Sequence, residues 1–306
     1  MKRGFLLVSV LGAILVTAGT ITLLLLLDPK STLGESIKTG GLAGGAVVAL
    51  YALWLNDRKR RTEEARHELE SDKVADERFA RSVELLGGEA DQVRVGAMHA
   101  LAGLARSTPR YRQTVLDVLC AYLRRPFRHP YYETRPDDPD RVVPRDTADV
   151  PVDVAQERAV RLTAQRLITD LLPWGQDADE TAYHLDLTGA TVEYLRLEGR
   201  RVGRLTARGT QFRGITALRG ARFAKPALFT GATFHGRLQL AEVAFDGGVA
   251  FTEVAFEDEV DFRAATVGTF LALADVPPAR QLGELVVAEG TALRTPRDGW
   301  SLRLDG

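Results

Sequence analysis

One cysteine, Cys120, in a chain of 306 residues leaves no intramolecular disulfide framework and no cysteine-rich metal site. It sits in Val115-Leu116-Asp117-Val118-Leu119-Cys120-Ala121-Tyr122-Leu123 and reads as a small buried apolar residue. A reactive thiol needs a basic or helix-N-terminal setting, and Cys120 lies well inside its predicted helix. Histidine is also scarce. His67, His99, His129, His184 and His235 are scattered, and no two fall at metal-ligand spacing. A phosphate loop, a dinucleotide glycine fingerprint and a His-Glu-x-x-His run are all missing. Glu257, Asp258, Glu259 and Asp261 form an acidic cluster that reads as a solvated corner rather than a cation site. The formal net charge is −1, so no global charge excess points to a partner. The sequence therefore assigns no catalytic, cofactor-binding or metal residue, and no cofactor.

Long hydrophobic runs are confined to the N-terminal residues. Phe5 to Leu27 carries no charge and ends in five consecutive leucines. About 20 apolar residues cross a bilayer core. A secretory signal has a shorter apolar core of ~7–15 residues and a small-residue cleavage site, whereas this run exits at Asp28-Pro29-Lys30. A second run, Ser36 to Asn56, reaches the needed length if Lys38 snorkels, with Tyr51 and Trp54 as interfacial aromatics. Gly40, Gly41, Gly44 and Gly45 make small-xxx-small pairs. They suit close helix packing in a membrane or simply mark a glycine-rich membrane helix. Basic residues at Lys2, Arg3 and Arg58-Lys59-Arg60-Arg61 place both ends inside. The expectation is a transmembrane hairpin over 1–56, with spans at 5–27 and 36–56. The chain would then be a multi-pass protein of the inner (plasma) membrane with cytoplasmic N- and C-termini.

Residues 57–173 read as a helical region. Asp57 to Leu86 mixes acids and bases without Pro or Gly, which predicts a solvated helix stopped by Gly87-Gly88. Asp91 opens an apolar stripe through Val93, Ala97, Ala100, Leu101 and Leu104. Thr108 and Pro109 suit the N-cap and first position of a helix to about Arg125. Residues 126–151, rich in Pro, Asp and Arg, predict a loop, and Asp153 to Leu172 a further helix ended by Pro173. The run Asp91-x-Val93-Arg94-x-x-Ala97-x-x-Ala100-Leu101-x-x-Leu104 resembles the first helix of a HEAT-like pair over 91–125.

What the chain does have is a repeat. Before Phe212 the step is five: Leu187, Val192, Leu197, Val202, then Ala207. From Phe212 onward Phe223, Phe234, Phe245, Phe256 and Val267 recur every eleven residues. Leu218, Phe229, Leu240, Phe251, Phe262 and Leu273 interleave with the same period, so steps of six and five alternate. A unit this short buries its large side chain only by stacking. Thr188-Gly189-Ala190-Thr191-Val192 and Thr230-Gly231-Ala232-Thr233-Phe234 are near copies. In these units residues 183–273 resemble the pentapeptide-repeat family, although Phe replaces the central Leu and the preceding polar residue is mostly missing. The resemblance implies a right-handed, four-sided parallel β-helix. With the five-plus-six alternation a coil takes 22 residues and stacks Phe212/Phe234/Phe256, Leu218/Leu240/Phe262, Phe223/Phe245/Val267 and Phe229/Phe251/Leu273. The expected fold is thus α+β: two spans, a small helical bundle, the solenoid, and a tail or cap over 274–306.

Arg196 to Arg237 holds ten basic residues and one acid, and Glu242 to Asp261 holds seven acids and no base. Such halves are solvated side chains, or a docking surface for a partner or anionic lipid. The function expected is a non-enzymatic, membrane-anchored scaffold with a protein partner of unknown identity and no nucleic acid. Two alternatives are a DNA-mimicking topoisomerase binder, which the family resemblance implies for broadly acidic members, and an enzyme whose site escapes sequence reading. Oligomeric state is left open.

Overall fold

The structure is a computed structural model. It describes residues 11–12, 14–23, 33–132, 150–177, 180–294 and 298–305. Contacts divide the chain into two units, Met1–Val74 and Ala75–Gly306.

In the first unit residues 14–23 are helical. Helix α1 (Leu33–Leu86) runs unbroken for 54 residues, through the apolar run and into the charged stretch. Asp57–Arg61, Lys59–Glu63 and Arg60–Glu64 pair at 2.9, 3.6 and 3.5 Å. These exposed i,i+4 pairs support a solvated helix. Among the described residues no helix is long and apolar enough to cross a membrane. This overturns the two spans, the membrane-anchored fold and the multi-pass inner-membrane location. The physical reason lies in the second run itself. Between Lys38 and Asn56 only about 17 residues are uncharged and largely apolar, about 25 Å of helix against a core of about 30 Å, and four are glycines that add almost no hydropathy. The 5–27 stretch falls partly outside the described residues. The packing face assigned to Gly40, Gly41, Gly44 and Gly45 lies on α1, where a Cβ added at Gly41 or Gly45 would meet nothing within 4 Å.

The second unit is α+β. Helix α1 stops at Gly87 and Gly88, whose N–H groups donate to the Glu84 and Leu85 carbonyls. Helices α2 (Asp91–Ser107), α3 (Arg112–Leu123) and α4 (Val152–Leu171) follow. Thr108 makes no side-chain cap, and Pro109–Tyr111 form a 3-10 turn, so α3 starts later than its sequence signals suggest. Most of the expected loop over 126–151 lies outside the described residues. The apolar stripes of α2, α3 and α4 meet at Met98, Leu101, Leu116, Leu119, Leu123 and Ile168, all buried.

Beyond them the chain winds about five turns of β-solenoid. One face stacks β2 (Thr191–Glu193), β4 (Gln211–Arg213), β8 (Thr233–Phe234) and β12 (Ala255–Phe256). A second stacks β5 (Thr216–Ala217), β9 (Leu238–Gln239), β13 (Val260–Asp261) and β16 (Gln281–Leu282). The other two faces are joined, because the six-residue β3 (Arg201–Thr206) spans the corner between them. Its start pairs with β6 (Arg222–Phe223) and its end with β7 (Ala227–Leu228). An 11-stranded sheet results, continuing through β10 (Ala244–Phe245), β14 (Ala265–Val267) and β17 (Leu285–Val287) on one side and β11 (Val249–Ala250) and β15 (Phe270–Ala272) on the other. Its first strand is β1 (Tyr183–Asp186), and its last are β18 (Ala292–Leu293) and β19 (Leu302–Leu304). Every pairing between these strands is parallel.

Val192 lies opposite Phe212, a step of 20, and Phe212 opposite Phe234 and Phe234 opposite Phe256, steps of 22. Phe223, Phe245 and Val267 form the matching ladder. The rings stack, with centroids 4.5 Å apart for Phe212–Phe234, 5.6 Å for Phe234–Phe256, 5.2 Å for Phe223–Phe245 and 5.4 Å for Phe229–Phe251. Leu187, Leu197, Val202, Leu218, Leu240, Phe262 and Leu273 are buried among them, and Phe256 is half-buried.

The two step lengths are two kinds of corner. From Ala207 onward each five-residue step opens with a tight turn in which the fourth residue's N–H donates to the first residue's carbonyl, as Ala221 to Leu218, Ala232 to Phe229 and Val243 to Leu240. The third residue has positive φ: Gly209, Gly220 and Gly231, then Glu242 (61°), Glu253 (57°) and Ala264 (56°). That is the type II turn, which favours glycine at this position. The six-residue steps run through looser bends at Gly214, Lys225, Gly236 and Asp258, except at Asp246-Gly247, where the Gly248 N–H donates to the Phe245 carbonyl and closes a turn.

Candidate functional site

The first coil of a solenoid exposes strand edges unless something pairs with them. Here side chains of the helices do so. Gln113 on α3 acts as a substitute peptide for β1: its Nε2 donates to the His184 carbonyl (3.0 Å) and its Oε1 accepts from the His184 N–H (2.8 Å). Along α4, Arg161, Gln165 and Thr169 follow at i, i+4 and i+8 and line one face. The Arg161 guanidinium donates to the Thr191 carbonyl and to those of Tyr122, Leu123 and Arg125 at the end of α3. Gln165 Oε1 accepts from the Glu193 N–H (2.9 Å), and the Thr169 hydroxyl donates to the Arg196 carbonyl (2.6 Å). The Glu193 carboxylate, only 2 % exposed, is held bidentately by Arg158 at 2.8 and 2.6 Å. A single apolar cluster runs from the helices into the coils. The helical layer is the N-terminal lid of the solenoid. At the far end Trp300 lies against Phe251, Phe256 and Phe262 and donates from Nε1 to the Ala274 carbonyl (3.1 Å).

Where α4 runs out, the lid leaves a cleft of about 510 Å³ against the first coil. Pro173 ends the helix, and Trp174 turns over the edge of β3, 53 % exposed. The Arg200 guanidinium lies 3.7 Å from the Trp174 ring centroid and donates to the Leu172 carbonyl (3.0 Å). Burial lowers the Arg200 pKa. Tyr194, at φ 51°, forms the wall, its ring so close to Gly214 that a Cβ there would clash. Arg166, Asp170, Arg196 and Glu198 complete the rim, Arg196 and Glu198 pairing at 3.0 Å. A second cleft of about 500 Å³ lies on the other flank of Trp174, along Gly199, Gly220, Arg222 and Glu242. Tryptophan and arginine are both enriched among the residues that carry binding energy at protein interfaces.

Neither cleft includes a histidine. His129 is buried beside Phe127 and Tyr132. His184 Nδ1 accepts the Arg204 N–H at 2.8 Å. His99 is exposed on α2. His235 lies on the outer face between Gln211 (2.7 Å) and Glu257 (2.8 Å). Cys120 is buried, which pushes its thiol up to about 12. Three of the four acids expected as a cluster take separate partners: Glu257 bonds the His235 ring, and Glu259 and Asp261 pair with Arg280 and Arg263. Among the described residues no group of His, Cys, Asp and Glu could hold a metal ion.

The charge segregation has a structural outcome. With coils 22 residues long, basic residues of one coil meet acids of the next: Arg219 with Glu242 at 3.2 Å and Arg222 with Asp246 at 2.7 Å. Sequence reading missed the α4 stripe and the cleft. The one available signal was Arg161 and Gln165 on the apolar side of an amphipathic helix.

The architecture defines a β-solenoid closed by a helical lid. A family model described as pentapeptide repeats (9 copies) matches residues 207–255, so the repeat region is a pentapeptide-repeat solenoid. No curated protein and no solved structure matches the chain. Pentapeptide-repeat β-solenoids are generally non-enzymatic, protein-interaction type modules.

Proposed function

We propose that this chain is a non-enzymatic scaffold that holds a protein partner at the junction of lid and solenoid. The observation that carries the reading is Trp174, half exposed, stacked on Arg200 and flanked by two clefts. The helical pair over 91–125 serves here to position that junction, whatever its likeness to HEAT units. Cross-coil pairing of acid with base supports this reading over a DNA-mimicking one, which requires a continuous acidic surface.

The test is site-specific photo-crosslinking in the native host. A photoreactive residue replaces Arg196 on the cleft rim or, as a control, Arg303 on the terminal strand, both exposed in the isolated chain. A discrete adduct from position 196 that is absent from position 303 is expected. Equal adducts at both positions, or none, reject the reading.

A further inference from the structure

Residues 126–132, which leave α3, lie across the joint between lid and solenoid. Phe127, His129 and Tyr132 form one aromatic cluster, with ring centroids 6.1 Å apart for Phe127–His129, 6.1 Å for Phe127–Tyr132 and 5.6 Å for His129–Tyr132. The cluster is held from both sides. Arg161 of α4 lays its guanidinium on the Phe127 ring at 4.9 Å. Arg213 of β4 lies over the Tyr132 ring at 5.4 Å and donates to the Tyr132 carbonyl at 3.2 Å. The Tyr132 hydroxyl donates to Glu193 of β2 at 3.4 Å, over the pair that Glu193 makes with Arg158.

His129 is the titratable member of this cluster and is buried. The charges about it are mostly positive. Helix α4 supplies Arg158 and Arg161, β4 supplies Arg213, and Arg125 and Arg128 flank it in the chain. Against these stand Glu193, held by Arg158, and Glu157, shared between Arg94 (2.5 Å) and Arg161 (3.8 Å). Burial and Arg158 oppose a proton on the ring, Glu193 favours one, and the balance lowers the His129 pKa. A further positive charge in a desolvated cluster ringed by guanidinium groups is costly, and the cost vanishes when the ring reaches water.

We propose that residues 126–132 are a strap released by protonation of His129, so that acidification lifts the cover from Glu193 and Arg158 while helices and coils stay folded. Closed, the strap holds a neutral imidazole. Open, His129 takes up a proton at the ordinary histidine value of about 6.5, so the open form gains as the pH falls below that value. The device does not depend on what the cleft beside Trp174 holds.

The test is amide hydrogen exchange on the 15N-labelled full chain, with protonation of the His129 ring followed by its carbon-bound proton signals. The Tyr132 N–H, which donates to the His129 carbonyl at 2.9 Å, reports the strap, and the N–H of buried Ile168 in α4 reports the lid. From about pH 7.5 to about 5.5 the protection factor of Tyr132 is expected to fall on the order of tenfold, with that of Ile168 unchanged. In His129→Gln, which has no ring to protonate, Tyr132 protection is expected to stay flat over that range. Should that variant fail to fold, the parent decides, because loss of protection and protonation of the ring must share one midpoint. Protection that is constant in the parent, falls equally in His129→Gln, or falls together at Tyr132 and Ile168 overturns the proposal, as does a midpoint that departs from that of the ring.

Discussion

At the scale of single residues, the turn position that recurs every eleven residues is the most exacting in the repeat. Gly209, Gly220 and Gly231 adopt positive φ freely, whereas Glu242, Glu253 and Ala264 hold it against Cβ crowding. Ala264 is exposed and has no side-chain partner to lose. Ala264→Gly is therefore expected to stabilise the protein by about 1 kcal/mol, and Gly220→Ala to destabilise it by a similar amount. Denaturant melts of the two variants check both signs. Histidine sets a second residue-scale expectation. Partial desolvation of the His184 ring, which is still exposed, lowers its pKa, with Lys225 and Arg204 adding to it against Asp117. Burial likewise lowers that of His129, with Arg158 adding to it against Glu193. The unfolded chain then takes up protons first. Stability is full above the unfolded value of about 6.5 and declines as the pH falls from there toward the folded values. The melting temperature should drop between pH 7.5 and 5.5, and by less in a His129→Gln, His184→Gln double variant. Parallel pH profiles for the two proteins refute the assignment.

At the scale of elements, stacked phenylalanines and side-chain capped edges hold the unit together. Phe234 sits between Phe212 and Phe256 in one column and touches Phe229 in the next. Phe234→Ala is expected to cost about 3–5 kcal/mol, and Phe256→Ala, at a half-buried position near the end of its column, distinctly less. Chemical denaturation ranks them, and a reversed order would place the core elsewhere. The lid is held to the first coil by Glu193. Truncating it to Ala strands the Arg158 guanidinium and removes a nearly fully buried carboxylate, an expected loss of about 3 kcal/mol, at the low end for buried pairs because Arg158 keeps partial solvent access. Melting with Glu193→Ala set beside the Arg158→Ala, Glu193→Ala double variant separates the pair from packing alone.

At the scale of the whole molecule, residues 75–306 share one continuous apolar cluster from α2 to Trp300. Lid and solenoid are expected to unfold in a single transition, reported alike by helical circular dichroism and by Trp300 fluorescence. Two separated transitions would show that the lid is an independent domain. Coil length and core columns were legible because each large side chain repeats at a fixed local interval and must be buried by its neighbours. Phe212, Phe234 and Phe256 declare their column through spacing alone. The sequence could not show that Arg219 meets Glu242, that Gln113 pairs with the edge of β1, or that Trp174 parts two clefts. Those contacts join residues 23 to 71 positions apart, or set a side chain over a coil whose place depends on the lid. Residue hydrophobicity also misled at Ser36–Asn56, where an apolar run counted as a membrane span is one part of a continuous helix too short in apolar length. By itself, then, the sequence determined a repeating coil and its aromatic interior, since periodic burial is a local property. Only the tertiary structure decided how the ends are closed and where the clefts beside Trp174 form, since those depend on which distant backbone and side-chain groups the coils bring side by side.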